Sequence, residues 1–240
     1  MERYEDIQEL LKTVQSNINQ IELEYKKAKQ DDELKTILRP LVKSTLEHLR
    51  SILEYATQDI WLSYNSKSNK KLYFPYGKDR HFFNKSINKN LPRIKKIKPN
   101  IYNLISNLQP HKCQDNWLIE LCKQTNFNKH DKLSLQKRKN SKNSRTTIGN
   151  MFQIDATSSI TFSNCSINGV PVGSETPVHI HGEMDTKTIK DKINLPINIS
   201  KEFDWVEFRF ENSAIDTLQL IKKSYQEISN FITKLKNEID

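Results

Sequence analysis

The chain has 240 residues, of which 35% are hydrophobic and 28% charged, with only 5 Gly and 8 Pro and a formal net charge of +9. This composition excludes a disordered or collagen-like chain, and it is too polar for a membrane protein. The opening residues, MERYEDIQEL, are not typical of a signal peptide, and the three cysteines form no C-x-x-C pair, so we expect a reduced, cytoplasmic compartment.

Five segments have the apolar spacing of amphipathic helices, with hydrophobic residues three and four positions apart. The first and the last carry the same kind of apolar stripe, so we expect these two helices to pack side by side. Pro99 should break or restart the third helix, and Asp115 is well placed as the N-cap of the fourth. The predicted helices span residues 4–30, 41–63, 91–108, 116–130 and 213–239.

The remaining segments predict connections and a small sheet. Residues 64–92 are typical of a long, irregular connection, and residues 134–146 of a flexible loop or a hairpin. Residues 147–211 contain short alternating apolar runs, among them Ile193 to Ile199, and the turn signal Asn168-Gly169. These features predict four to five mostly antiparallel strands.

We therefore predict an α+β fold, a bundle of about five helices with a small antiparallel β-sheet inserted before the C-terminal helix. The expected organisation is a helical bundle with a basic face over residues 1–146, a β insertion over residues 147–211 and a returning helix over residues 212–240. No window approaches the roughly 20 apolar residues of a membrane-spanning helix, so we expect no membrane partner. No phosphate-cradling glycine motif is present, and we expect no cofactor.

The positive charge is concentrated in the middle of the sequence. Residues 65–145 contain 20 Lys and Arg against 4 Asp and Glu, whereas residues 1–64 and 146–240 carry net charges of −3 and −4. A field of this size attracts polyanions through counterion release, which predicts a nucleic-acid partner. The candidate nucleic-acid-binding residues are Arg93, Lys95, Lys96, Lys98, Lys137, Arg138, Lys139, Lys142 and Arg145.

Two alternatives to nucleic-acid binding stay open. The basic segment could instead dock an acidic partner protein, as part of an interaction or adaptor subunit without catalysis, or be a solvated face with no specific role. In an adaptor, the long helices could also pair with those of a second copy. The basic segment holds 8 of the 21 aromatic residues, which is no enrichment over its share of the chain, so we expect these aromatics to belong to the core.

The end of the fourth predicted helix carries the best candidates for catalytic residues. His130 titrates near neutral pH and can act as a general base, while Lys123 and Lys129 could hold a phosphate group and Asn126 could orient it. These are the groups that a metal-independent ribonuclease needs. The structural alternative is that Asn126 and His130 cap the helix end, where a histidine is favourable through the helix dipole alone.

Short motifs along the chain resemble those of a group of uncharacterised bacterial helical proteins with an FP element, an LQP element and an N-x-x-KH element in that order. The matching motifs are Tyr73-Phe74-Pro75, Leu108-Gln109-Pro110, Asp115-Asn116 and Asn126-x-Asn128-Lys129-His130. A preceding helix is similar at residues 44–51, and a later sheet and closing helix follow in the same order. The resemblance covers most of the chain.

Proteins of this group resemble HEPN domains, which are helical bundles that include ribonucleases of toxin–antitoxin, CRISPR and phage-defence systems. The resemblance implies RNA as the nucleic acid, cleavage without metal by the RNA 2′-OH and a role in bacterial defence. The HEPN signature is an Arg separated from a following His by four to six residues, and no Arg precedes any of the six His at that distance. The nearest match here is Lys123, with six residues between it and His130, so a non-catalytic HEPN-like domain stays open.

A second candidate site is the run His179-Ile180-His181-Gly182-Glu183. On a strand, His179, His181 and Glu183 would share one face, and H-x-H is a spacing of metal ligands. An exposed polar strand face explains the same pattern, and we expect no metal here.

Overall fold

The computed structural model describes residues 1–65, 72–130, 133–167, 169–174, 177–211 and 213–239, with the main chain only for residues 128–130. In this part of the chain the helices are α1 (Tyr4–Gln30), α2 (Arg39–Leu62), α3 (Arg80–Asn90), α4 (Ile94–Ile97), α5 (Pro99–Asn107), α6 (Pro110–Cys113), α7 (Trp117–His130), α8 (Thr186–Ile193) and α9 (Thr217–Ile239). The strands are β1 (Gln136–Asn140), β2 (Ser144–Ile148), β3 (Phe152–Asp155), β4 (Ser159–Phe162), β5 (Ser166–Ile167), β6 (Val170–Pro171), β7 (Val178–His181), β8 (Ile199–Phe203) and β9 (Val206–Phe210).

The α+β class is confirmed, but the described residues form nine helices, more than the expected number of about five. Pro99 begins α5 and thereby separates it from α4, as its sequence position predicts. Helix α3 replaces part of the expected irregular connection, because Asp79 caps it by accepting a hydrogen bond from the Phe82 amide at 3.0 Å. Helix α8 is capped by Asp185 in the same way and ends at Ile193, so the expected strand from Ile193 is wrong.

The chain forms two compact units. Unit 1 comprises Met1–Ile21, Leu38–Leu135 and Phe210–Asp240, and unit 2 comprises Glu22–Ile37 and Gln136–Arg209. Helix α1 thus begins in unit 1 and supplies its last residues to unit 2. The expected boundary at residue 146 lies inside β2.

Unit 1 is helical, with α2 packed against both α7 and α9. The buried side of α2 includes Leu46, Leu49 and Leu53, each with no exposed surface, at the spacing of one helix face. Helices α1 and α9 border a common groove. The Lys236 ammonium of α9 also lies 3.9 Å from the centroid of the Tyr4 ring of α1.

Unit 2 contains small antiparallel sheets. Strand β2 is central in the order β3-β2-β8, and its Thr146 pairs with Ile154 on one side and Lys201 on the other. The other sheets of the described residues are the pairs β1-β9, β4-β7 and β5-β6. Alternating residues of these strands form one apolar cluster with α8, which includes Ile148, Phe162 and Ile189. Residue 168 of the expected turn lies outside the described residues.

None of the helices in the described ranges combines the length and the apolarity that crossing a membrane requires.

Candidate functional site

The segment Tyr73–Gly77 of unit 1 is held by side chains from helices on both sides of it in sequence. Glu54 of α2 accepts a hydrogen bond from the Phe74 amide at 2.8 Å, and Asn90 of α3 accepts one from the Tyr73 amide at 3.1 Å. The Phe74 side chain is fully buried and packs edge-on against Phe231 of α9, with ring centroids 5.7 Å apart. The first of the recognised motifs is therefore fixed in a defined conformation.

Gln109, the central residue of the LQP motif, completes this fixation. Its side chain has no exposed surface, accepts from the Gly77 amide at 3.2 Å and donates to the carbonyl oxygen of Pro75 at 3.2 Å. Gly77 is needed here because a Cβ would lie 2.6 Å from the Phe82 carbonyl carbon and 2.8 Å from the Phe83 Cα. The FP and LQP motifs thus meet in the structure.

Arg50 lies at the centre of the cluster that we call the Tyr76 cluster: Arg50, Glu54, Tyr76, Cys122 and Asn126. Its Nε lies 2.7 Å from a Glu54 carboxylate oxygen, and Nη1 contacts the Cys122 sulfur. The guanidinium carbon is 5.0 Å from the centroid of the Tyr76 ring. The guanidinium is buried, and it bridges α2, α7 and the Tyr73–Gly77 segment.

The protonation states of this cluster follow from its burial. Burial works to lower the pKa of Arg50, but Cys122, Glu54 and Tyr76 outweigh it and raise the pKa above the usual value. Burial raises the pKa of the Cys122 thiol to about 12, against the opposing effect of Arg50. The pKa of Tyr76 is also raised, first by burial and then by Cys122. At neutral pH the cluster therefore holds one ion pair and two neutral proton-bearing groups, with no activated thiolate.

The end of α7 lies next to this cluster. Asn126 is exposed, and its side chain is hydrogen-bonded to Tyr76. Positions 122, 126 and 130 follow one another at four-residue intervals along α7, so they share one helix face. Of the predicted catalytic residues, Lys123 is exposed and lies 3.6 Å from the Glu120 carboxylate. The side chains of Lys129 and His130 lie outside the described residues, so their roles stay predictions.

A basic region of unit 1, residues 78–112, borders the motif segments, and we call it the cationic segment. It contains nine Lys and Arg and a single acidic residue, Asp79, whose carboxylate caps α3. None of its nine cations forms an ion pair within the described parts of the chain, and all are exposed except the half-buried Lys98. These cations are Lys78, Arg80, Lys85, Lys89, Arg93, Lys95, Lys96, Lys98 and Lys112.

The nine predicted nucleic-acid-binding residues divide between the units. Four of them, Arg93, Lys95, Lys96 and Lys98, belong to the cationic segment of unit 1. The other five lie in unit 2, where Lys137, Lys139 and Lys142 are exposed and Arg145 lies 3.6 Å from Asp155. The predicted residues are thus divided between the two compact units.

Arg138 of unit 2 is bound by main-chain carbonyl groups. Its guanidinium donates to the main-chain carbonyls of Ala28, Asp31 and Leu34 at 2.5–2.7 Å. It also lies 5.3 Å from the Phe203 ring centroid, and burial lowers its pKa. Arg138 therefore ties β1 to the segment that follows α1.

The aromatic residues of the basic segment are only partly in the core. Phe74, Phe83 and Trp117 are buried as expected, but Tyr73 and Phe82 are each 46% exposed. The expectation of core positions is wrong for these two.

The H-x-H run forms β7, paired with β4. His179 is exposed and its Nδ1 lies 2.9 Å from the Thr161 hydroxyl, while His181 Nδ1 accepts from the Glu183 amide at 3.2 Å. Among the described residues, no group of three or more His, Cys, Asp and Glu is arranged to hold a metal ion.

Sequence reasoning did not identify Arg50, Glu54, Tyr76 or Cys122 as a unit. The available signal was the i, i+4 spacing of Arg50 and Glu54 on α2, which is typical of an ion pair. No family model, curated protein or solved structure matches this chain. Its function must therefore be inferred from its own residues.

Proposed function

We propose that this protein binds RNA through the cationic segment of unit 1. The observation that carries the proposal is the set of nine cations without an ion-pair partner among the described residues. Lysines and arginines on a protein surface usually have acidic neighbours, and a stretch of 35 residues with one carboxylate departs from that mixture. Polyanion binding gives these charges their counterions.

The resemblance of the motifs favours RNA over other polyanions. One structural observation supports the resemblance, namely that the motif residues contact one another in and beside the Tyr76 cluster. The FP and LQP motifs and the Asn126 position of the third motif are joined by hydrogen bonds, although they are far apart in sequence. Of these motif residues, Tyr73 and Asn126 are exposed and can contact a ligand, whereas Phe74 and Gln109 are buried and hold them in place.

The binding experiment compares two triple variants with the same loss of charge. Arg93→Gln/Lys95→Gln/Lys96→Gln removes three cations of the cationic segment, and Lys12→Gln/Lys26→Gln/Lys234→Gln removes three exposed lysines of α1 and α9. Affinity for a labelled single-stranded RNA is measured by fluorescence anisotropy over a range of salt concentrations.

The plot of log affinity against log salt should be linear for the wild type. Removing three phosphate contacts should reduce its slope by about 2, since each contact on a single strand contributes about 0.7. The control variant should keep the wild-type slope. An equal effect of both variants would show that only net charge matters, and purification with a stoichiometric acidic protein instead of nucleic acid would favour the adaptor function.

Cleavage is the second part of the proposal, and its residues are His130, Lys123, Lys129 and Asn126 at the end of α7. His130 accepts the proton of the 2′-OH, and the resulting oxygen attacks the adjacent phosphorus. The bond from phosphorus to the 5′ oxygen breaks, and that oxygen takes a proton from water. The products are a 2′,3′-cyclic phosphate and a 5′-OH. The hydrogen bond between Asn126 and Tyr76 supports this placement, because it fixes the preceding turn of α7.

A further inference from the structure

Phe82 is an exposed aromatic side chain within the cationic segment. It lies in the first turn of α3, and 46% of it is exposed, whereas the next residue, Phe83, is fully buried. Phe83 therefore anchors the helix and Phe82 adds little to the core. The Lys78 ammonium lies 4.7 Å from the centroid of the Phe82 ring, and the His81 ring packs edge-on at 5.6 Å. The Phe82 ring thus has a cation over one of its faces and is half-exposed elsewhere, where a ligand can reach it.

Two further cations of the cationic segment act on the nearby His111. Arg80 begins α3 and Lys112 belongs to α6, and both are exposed. His111 lies between these elements, with its ring centroid 5.6 Å from that of Phe83. The cations that act on His111 therefore come from two separate segments, α3 and α6, which are joined by the contact between Phe83 and His111.

The pKa of His111 reflects the charges around it. Its Nδ1 is buried and has no hydrogen-bond partner among the described residues. Burial, then Lys112 and Arg80, lower the pKa of His111, and Asp79 opposes them. The imidazole is consequently neutral at pH 7. The charged groups around it are then two cations, Arg80 and Lys112, and one carboxylate, that of Asp79. This is an environment that accepts an added anion.

We propose that Phe82, Arg80 and Lys112 form a nucleotide subsite for single-stranded RNA, in which a base stacks on Phe82 and a neighbouring phosphate pairs with the two cations. The inference rests on the proposed function and specifies its substrate class. Single strands are required because the base faces of a duplex are stacked on each other and do not reach an aromatic side chain. Aromatic residues beside cations are the usual arrangement for single-strand binding.

The test uses the full chain with Phe82→Ala, Phe82→Tyr and Tyr55→Ala. Tyr55 is a matched control, since it is an exposed aromatic residue of α2 in the same unit but outside the cationic segment. The probes are one labelled RNA as a single strand and the same RNA annealed to its complement. Phe82 and Tyr55 are 46% and 37% exposed, and Phe83 rather than Phe82 packs in the core, so these substitutions leave the core of unit 1 intact.

Phe82→Ala should weaken single-strand binding by about 5- to 100-fold, the usual effect of losing one stacked base, with an unchanged salt slope. Phe82→Tyr should restore the affinity, and Tyr55→Ala should bind like the wild type. Duplex binding should be the same in all four proteins. In NMR titrations, the bound single strand should also raise the pKa of His111, because a phosphate on Arg80 and Lys112 favours the imidazolium.

The two proposals fail in different ways. Wild-type affinity in Phe82→Ala together with an unshifted His111 overturns the subsite, while the response of the salt slope to Arg93, Lys95 and Lys96 still supports RNA binding. A wild-type protein that binds neither probe overturns the proposed function and the subsite with it.

Discussion

Gly77 and Gln109 are joined by a hydrogen bond of 3.2 Å from the main-chain amide of the glycine to the side-chain oxygen of the glutamine. The same side chain donates to Pro75 at 3.2 Å and to Ile105 at 3.1 Å. One buried amide group therefore provides the partners that the main chain at Pro75 and Gly77 needs. It couples the FP motif to the end of α5.

The first prediction concerns this amide group. Gln109→Leu should lower the free energy of unfolding by about 2–4 kcal/mol, because the buried Gly77 amide and Pro75 carbonyl lose their partner. Urea denaturation followed by circular dichroism measures the change. Gln226→Ala, an exposed glutamine in α9, is the control and should be within about 0.5 kcal/mol of the wild type. A similar stability for both variants would contradict a role of Gln109 in holding the segment.

The second prediction concerns the ion pair of the Tyr76 cluster. Arg50→Met should cost about 3–5 kcal/mol, because it leaves the partly buried Glu54 carboxylate without its cation. The double variant Arg50→Met/Glu54→Leu should recover part of that loss, since no charge is then left unpaired. Denaturant unfolding of the two single variants and the double variant gives the coupling energy. Strict additivity of the single effects would show that the pair is not coupled.

The long helices could be predicted from the sequence because their apolar spacing persists over many turns. Helix α1 was expected at residues 4–30 and is found at Tyr4–Gln30, and α9 begins four residues later than expected. The short helices α3 and α8 contribute few buried apolar side chains each, too few to establish a period. Only the capping aspartates, Asp79 and Asp185, indicate these helices in the sequence. Aspartate and the polar residues around it are equally common in loops, so they do not identify a helix start by themselves.

The candidate site was only partly predictable for a different reason. Lys123 and Asn126 could be proposed because they lie within seven residues of His130 in the sequence. The contact between Arg50 and Cys122 joins positions 72 residues apart and depends on how α2 packs against α7. A polar residue on a helix also looks the same in sequence whether it faces water or a neighbouring segment. The sequence alone therefore does not distinguish Arg50 and Glu54 from solvent-exposed residues of α2.

The third prediction concerns thiol chemistry. Cys113 and Cys165 are exposed, whereas Cys122 is buried and its pKa is raised to about 12. At pH 8, a thiol reagent such as DTNB should therefore modify two cysteines of the native protein quickly and the third only after denaturation. Fast modification of all three would contradict the burial of Cys122. Cys122→Ser should leave the fast phase unchanged, which identifies the slow thiol.

The raised pKa of Cys122 also has a consequence for stability. In the unfolded chain the thiol ionises near its ordinary pKa of 9.0, but in the folded protein it stays protonated up to about 12. The folded state thus binds more protons between these two values, and its stability should fall as the pH rises through that window. Cys122→Ala should reduce this alkaline loss, as measured by the denaturation midpoint at pH 8 and at pH 10.

The fourth prediction separates two roles of Arg138 in unit 2. If its main role is to bind the carbonyls of Ala28, Asp31 and Leu34, Arg138→Lys should destabilise unit 2 by about 2–4 kcal/mol, because an ammonium cannot reach all three in the same geometry. Hydrogen exchange of the amides in β1 measures the loss. Lys139→Gln, an exposed neighbour, should leave exchange unchanged. Normal protection in Arg138→Lys combined with weaker RNA binding would instead favour the predicted phosphate contact.

The fifth prediction concerns cleavage at the end of α7. His130→Ala should abolish formation of the 2′,3′-cyclic phosphate from a single-stranded RNA, because no group then accepts the 2′-OH proton, while the affinity for RNA persists. The products are followed by gel electrophoresis and mass spectrometry in the presence of EDTA. His179→Ala, an exposed histidine of β7, is the control and should cleave like the wild type.

The possible results of this last experiment discriminate between the functions that the chain can have. Cleavage that persists in His130→Ala removes the proposed base, and cleavage that EDTA stops points to a metal-dependent reaction. Binding without any cleavage by the wild type identifies a non-catalytic RNA-binding protein. In that case Lys123→Arg alone should not create activity, because the exposed Lys123 lies beside the Glu120 carboxylate, and an arginine there would keep that partner.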